Sequence, residues 1–115
     1  MGEAIKTVAT DYGGVSVLTV RDELAGDAVE AFTHEVSRCL ERGRFDIVLD
    51  CGGLVQVDSA GLEALLDLWE RCEAEFGSVR LCNVDQVLAK VLEITRLSRR
   101  FEVFDDLESA VQSFN

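Results

Sequence analysis

The chain has 115 residues, 48% of them hydrophobic, no proline, and a net charge of −11 from 22 acidic against 11 basic residues. That is one domain's worth of chain, able to bury about 65% of the surface its unfolded form exposes. The acidic balance argues against nucleic acid or an anionic membrane as the main partner, since both need clustered positive charge. The abundance of Val, Leu, Ile and Phe argues against disorder.

No segment approaches the ~18 uninterrupted apolar residues of a membrane span. Met1-Gly2-Glu3-Ala4 has neither the basic start nor the apolar run of a signal peptide. Gly2 is not in a myristoylation motif, because position 6 is Lys. The expectation is a cytoplasmic protein. The four cysteines, Cys39, Cys51, Cys72 and Cys82, are spaced by 12, 21 and 10 residues, and the single histidine, His34, has no zinc-ligand spacing to them. Each lies in an apolar run or on an apolar helix face, so reduced core thiols are expected, with no metal and no cofactor.

In chain order, Ile5 to Thr10 and Val15 to Val20 read as a strand pair around a Gly13-Gly14 turn. From Gly26 to Arg42, Val29, Phe32, Val36 and Cys39 or Leu40 form one helical stripe, and Gly43 ends it. His34 falls off that stripe and is expected at the surface. Phe45 to Leu49 carries the continuous run Ile47-Val48-Leu49 of a strand covered on both faces. A strand-like loop, Asp50 to Val57, then leads to a second helix from Asp58 or Ser59 to Phe76. Leu62, Leu65, Trp69, Cys72 and Phe76 form its expected buried stripe, with Leu66 and Leu68 widening it, and Gly77 closes it. Val79 to Val84 is a strand, Val87 to Leu97 a third helix and Phe101 to Phe104 a short extended piece. Asp105-Asp106-Leu107-Glu108 then opens a final helix in a capping-box pattern. Strands alternating with helices need crossover connections, so the later strands are expected to be parallel.

The informative stretch is Phe45 to Leu66, F-D-I-V-L-D-C-G-G-L-V-Q-V-D-S-A-G-L-E-A-L-L. Asp58 and Ser59 stand where a helix leaves backbone N–H groups unpaired, so either can serve as an N-cap worth about 1 kcal/mol. Gly61 one turn in costs about 1 kcal/mol against Ala, which implies that something approaches the backbone closely there. Arg96, Arg99 and Arg100 are cations complementing a helix C-terminus. Asp50 at the end of a buried strand invites comparison with response-regulator receivers. It lacks their acidic pair, since Asp11 stands alone, and their late-strand lysine, since Lys90 falls within a helix. No nucleophile–base pair and no acid–base pair is present, so an enzyme is not expected.

This stretch resembles the STAS domain, the anti-sigma factor antagonist family. The blocks are Ile47-Val48-Leu49-Asp50-Cys51, Val55-Gln56-Val57-Asp58-Ser59-Ala60-Gly61-Leu62 and Val91-Leu92-Glu93-Ile94-Thr95-Arg96-Leu97. Phe101 to Phe104 with Glu108, Ser109 and Ala110 completes the pattern, so the resemblance spans nearly all of residues 1–115 as one domain. It implies an α/β fold: a mixed sheet of four or five strands, helices mainly on one face, and an N-terminal strand pair. It also implies that Ser59 is phosphorylated by an anti-sigma factor that is itself a serine kinase, with a phosphatase reversing the mark. The implied partner-binding residues are Asp22, Glu23, Asp58, Ser59, Ala60, Gly61 and Glu63. Asp22 and Glu23 with Asp27 follow the second strand, and with Asp58 and Glu63 would form an acidic rim around Ser59. The chain departs from the family pattern where Asp22, Glu63 and Arg96 replace glycines, Ala25 replaces an acidic residue and Gln86 a proline. Two alternatives stay open: a STAS subunit of a transport assembly, such as a lipid ABC transporter, with serine only a cap, and a partner-switch scaffold acting on something other than a sigma factor.

Overall fold

The computed structural model describes residues 6–114. Its elements are β1 (Thr7–Tyr12), β2 (Val15–Leu24), α1 (Asp27–Glu41), β3 (Asp46–Val57), α2 (Ser59–Ala74), β4 (Ser78–Cys82), α3 (Gln86–Ile94), β5 (Glu102–Phe104) and α4 (Leu107–Gln112). A 3-10 turn, Leu97–Arg99, joins α3 to β5. The five strands form one sheet in the order β1-β2-β3-β4-β5. β1 and β2 are antiparallel around the Gly13-Gly14 turn, and every later pair is parallel. The expected α/β class, mixed sheet and strand pair are all present; Ile5, the expected first residue of β1, lies outside the described residues.

Alternation on β2 assigns its two faces. Leu18 and Val20 join the main core, which α1, α2 and α3 cover with Phe32, Val36, Leu65, Leu68, Leu88 and Leu92. Val15 and Val17 point the other way, into a smaller cluster with Val48, Cys82 and Ala110 of α4. Fully burying a side chain such as Phe32, Leu18 or Leu68 contributes about 1.5–3 kcal/mol, so the three-helix face dominates stability. Ser16, the buried polar residue among these strand positions, donates to the Asp11 carboxylate at 3.0 Å and accepts from Arg44 Nε at 3.1 Å. Arg44 Nη2 also donates to the Gly13 carbonyl at 2.6 Å, which ties the hairpin to the start of β3.

Four expectations are corrected. Residues 50–57 are not a loop: β3 continues to Val57, because β2 itself continues to Leu24 and pairs with it, Asp22 opposite Leu54 and Leu24 opposite Val57. Two register shifts each give β3 one residue more than β2, the first between Asp50 and Gly53 and the second between Leu54 and Gln56. Asp22 and Glu23 therefore lie within β2 rather than after it. Phe76 is not on the buried stripe of α2. It takes φ 60° beyond the helix end and is 99% exposed, while the buried stripe is Gly61, Leu65, Leu68 and Cys72, with Trp69 half-buried beside it. Gly77 follows because a Cβ there would overlap the Phe45 carbonyl at the start of the neighbouring strand. The cap of α4 is Asp106, which accepts from Ser109 N at 2.7 Å, one residue later than a box built on Asp105 and Glu108.

All four cysteines are buried free thiols. Burial pushes Cys51, Cys72 and Cys82 up to about 12 and raises Cys39, so they stay protonated and unreactive. His34 is exposed on α1. Among the described residues, no helix is long and apolar enough to cross a membrane.

Candidate functional site

The parallel pairing of β2 with β3 brings their C-terminal ends side by side, and each end feeds a helix. Asp58 is the junction. Its extended backbone places it as the N-cap of α2, where Oδ1 accepts from Gly61 N at 2.8 Å. Its other oxygen, Oδ2, accepts from Gly26 N at 3.1 Å, at the start of α1. The Asp58 backbone N–H donates to the Leu24 carbonyl at 3.3 Å. The amides of Gly61 and Gly26 stabilise the ionised carboxylate and hold its pKa below the ordinary 3.8.

With capping assigned to Asp58, Ser59 becomes the first residue inside α2. It is exposed, and its hydroxyl has no hydrogen-bond partner among the described residues. Ala60 and Glu63 are exposed as well, and Glu63 stands one helical turn beyond Ser59 on the same side. The Ser59 hydroxyl thus stands at the first position of a helix, the end that favours an anion.

Gly61 has a different role from the one expected. It is buried, and a Cβ on it would overlap the Leu24 carbonyl and come within 3.0 Å of Val57 Cγ1. The close approach that requires glycine is made by the chain's own β2, so Gly61 packs the start of α2 against the sheet.

The acidic residues sort into two groups. Asp22 is exposed at φ 60°, a left-handed position, which accounts for the glycine that the family pattern carries there. Glu23 is half-buried and engaged by Lys6, Nζ to Oε1 at 2.6 Å, so it is not an open rim charge. Asp58 spends its charge on backbone amides, and Ala25, at the position of the family's acidic residue, is buried. Of the acidic residues expected to rim Ser59, the exposed ones are thus Asp22, Asp27 and Glu63. Gly26 was missed as part of the site. Its φ of 53° turns the backbone so that its N–H meets Asp58, and a glycine immediately before an acidic helix start was the available signal.

This fold is a five-stranded mixed sheet in which an exposed serine opens a helix beside the sheet end. Residues 6–110 match the STAS domain family, and the chain belongs to it. BtrV of Bordetella bronchiseptica, named as an anti-sigma factor antagonist, is 24% identical over 110 residues, 96% of this chain and 95% of that protein. An anti-sigma factor antagonist from Mycobacterium paratuberculosis superimposes with a TM-score of 0.85 at 22% identity, covering 96% of this chain and 93% of that one. The phosphorylated form of the Bacillus cell fate determinant SpoIIAA superimposes with a TM-score of 0.77 at 22% identity, covering 95% and 99%. The fold is therefore that of anti-sigma factor antagonists.

Proposed function

We propose that this protein is a cytoplasmic, bacterial partner-switching module. Unmodified, it binds an anti-sigma factor that is also an ATP-dependent serine kinase, and phosphorylation of Ser59 releases that partner. The observation that carries this reading is the exposed, unengaged Ser59 hydroxyl, freed from capping by Asp58. The names of the relatives support it.

In the proposed step, Ser59 Oγ forms a bond to the γ-phosphorus of ATP as the bond to ADP breaks, and the hydroxyl proton passes to a base of the kinase. The product carries about −1.5 to −2 charge at the first position of α2, where a helix start accommodates it. The domain stays folded, and release follows from repulsion within a contact zone that also holds Asp22 and Glu63. A phosphatase would restore binding.

The test is incubation of the purified chain with ATP-binding serine kinases of the anti-sigma class from its genome, read by intact mass. A gain of one phosphate, lost in Ser59→Ala, with Ser59→Asp binding weakly and Ser59→Ala binding as wild type, is the expected result. No modification and no binding by any of them would overturn the reading.

A further inference from the structure

Two sides of α1 meet the rest of the fold. Phe32, Val36 and Cys39 pack into the main core, while Ala28, Ala31 and Glu35, at i, i+3 and i+7, form the flank beside them. Alanines on that flank stop short of the first two strands, and an open trough of about 700 Å³ runs between, a size usual for small-molecule sites. Ala25, Ala28 and Ala31 give it an apolar floor. Asp27 and Glu35 line it too, about 12 Å from one another along the helix axis at 1.5 Å per residue.

Thr7 of β1 belongs to the facing wall. It pairs with Val20, so its side chain lies on the sheet face that α1 covers. Thr7 is 6% exposed, and its Oγ1 is buried with no hydrogen-bond partner among the described residues. A buried hydroxyl without a partner is costly, and native structures rarely leave one. Rotation about the Cα–Cβ bond presents it to the trough. The charges in the lining are unbalanced as well. Lys6 and Glu23 neutralise each other at 2.6 Å. Asp27 is exposed with no ion pair among the described residues. Glu35 meets Arg38 at 3.3 Å, and Arg38 is 65% exposed, so that pair is weak.

We infer that this trough binds a linear aliphatic polyamine, with one ammonium at Asp27, another at Glu35, methylenes over the alanines and an inner amine N–H donating to Thr7 Oγ1. The lining dictates that chemistry: two carboxylates apart from each other, an apolar floor, and one acceptor hydroxyl in the wall. A compact inorganic cation would leave the alanines and the hydroxyl unused, and an anion would meet two carboxylates. The net charge of −11 favours approach of a cation. Nothing in this site depends on Ser59.

The test is titration calorimetry of the full chain with spermidine, with Mg²⁺ as the control for charge alone. One spermidine should bind per chain, and putrescine, too short to reach both carboxylates, about fivefold more weakly or worse. Ala31→Leu fills the trough from an exposed position, so it should weaken spermidine binding about tenfold or more while the melting temperature stays at wild type. Asp27→Asn and Glu35→Gln should each weaken it about two- to fivefold. Thr7→Val keeps the shape without the hydroxyl and should weaken it about two- to tenfold. The same variant should melt at or above wild type, because an unpartnered buried hydroxyl does not stabilise the fold. No binding of spermidine, or equal affinity in Ala31→Leu and Thr7→Val, would overturn the site. Spermidine bound no better than Mg²⁺ would reduce it to general attraction of cations and overturn it as well.

Discussion

The Asp58 carboxylate joins the starts of two helices: one oxygen takes the Gly61 amide of α2 and the other the Gly26 amide before α1, at 2.8 and 3.1 Å. It leaves Ser59 outside the cap, as the first residue of α2. Asp58→Ala should lower the melting temperature more than Asp58→Asn, which keeps one acceptor. The folded-state pKa of Asp58 is depressed, so its contribution is present above the ordinary value of 3.8 and is lost as pH falls through the folded value. Thermal melts of wild type and Asp58→Asn from pH 7 to pH 2 should therefore converge at the acid end. A constant gap at all pH values would show that the carboxylate charge is not what stabilises the junction.

Ser59→Ala should change stability by no more than about 0.5 kcal/mol, because an exposed hydroxyl without a partner contributes little to the fold. Urea denaturation checks this. A loss near 1 kcal/mol would return Ser59 to a capping role.

Gly61→Ala should destabilise by about 1–3 kcal/mol, the usual cost of forcing an atom into a packed site. Helix propensity alone would give a gain of up to about 1 kcal/mol. The sign of the melting shift thus separates contact with the Leu24 carbonyl from a helix that merely tolerates glycine.

Arg96 sits at φ 65° at a position where the family pattern has glycine, and it is exposed. Relieving a left-handed non-glycine residue gains about 1–2 kcal/mol, part of which is offset by the added entropy of an unfolded glycine. Arg96→Gly should therefore stabilise by about 0.5–1 kcal/mol in chemical denaturation. A destabilised variant would mean that the Arg96 side chain contributes more than its backbone costs.

With a net charge of −11, association with a basic docking surface should slow as salt rises from about 0.1 M, where the Debye length is about 10 Å, towards 1 M, where it is about 3 Å. Asp22→Asn should lower the association rate measured by stopped flow more than Glu23→Gln does, because Lys6 already neutralises Glu23. Equal rates across that salt range would make the acidic balance a solubility feature.

Much of the architecture was legible locally. Alternation along Val15–Val20, the stripe of Phe32, Val36 and Cys39 and the run Ile47-Val48-Leu49 each encode which faces are buried, and burial pattern is a local property of sequence. The D-S-A-G-L block marked the site for the same reason, since a helix start has its own local chemistry. The second half of β3 was not legible, because Gly52-Gly53 and Gln56 read as a loop until β2 supplies a partner strand.

The division of labour between Asp58 and Ser59 was equally beyond local reading, as both are good caps by residue type. What decided it was a hydrogen bond spanning 32 residues, from Gly26 to Asp58, which exists only once β2 and β3 lie side by side. Gly61 shows the same limit: its sequence context signals a close approach, and only the packed sheet reveals that the approaching group is Leu24 of the same chain. Periodicity along a chain records which side chains avoid water. Which backbone groups meet across the fold is settled by long-range pairing, and at this site that pairing frees the serine.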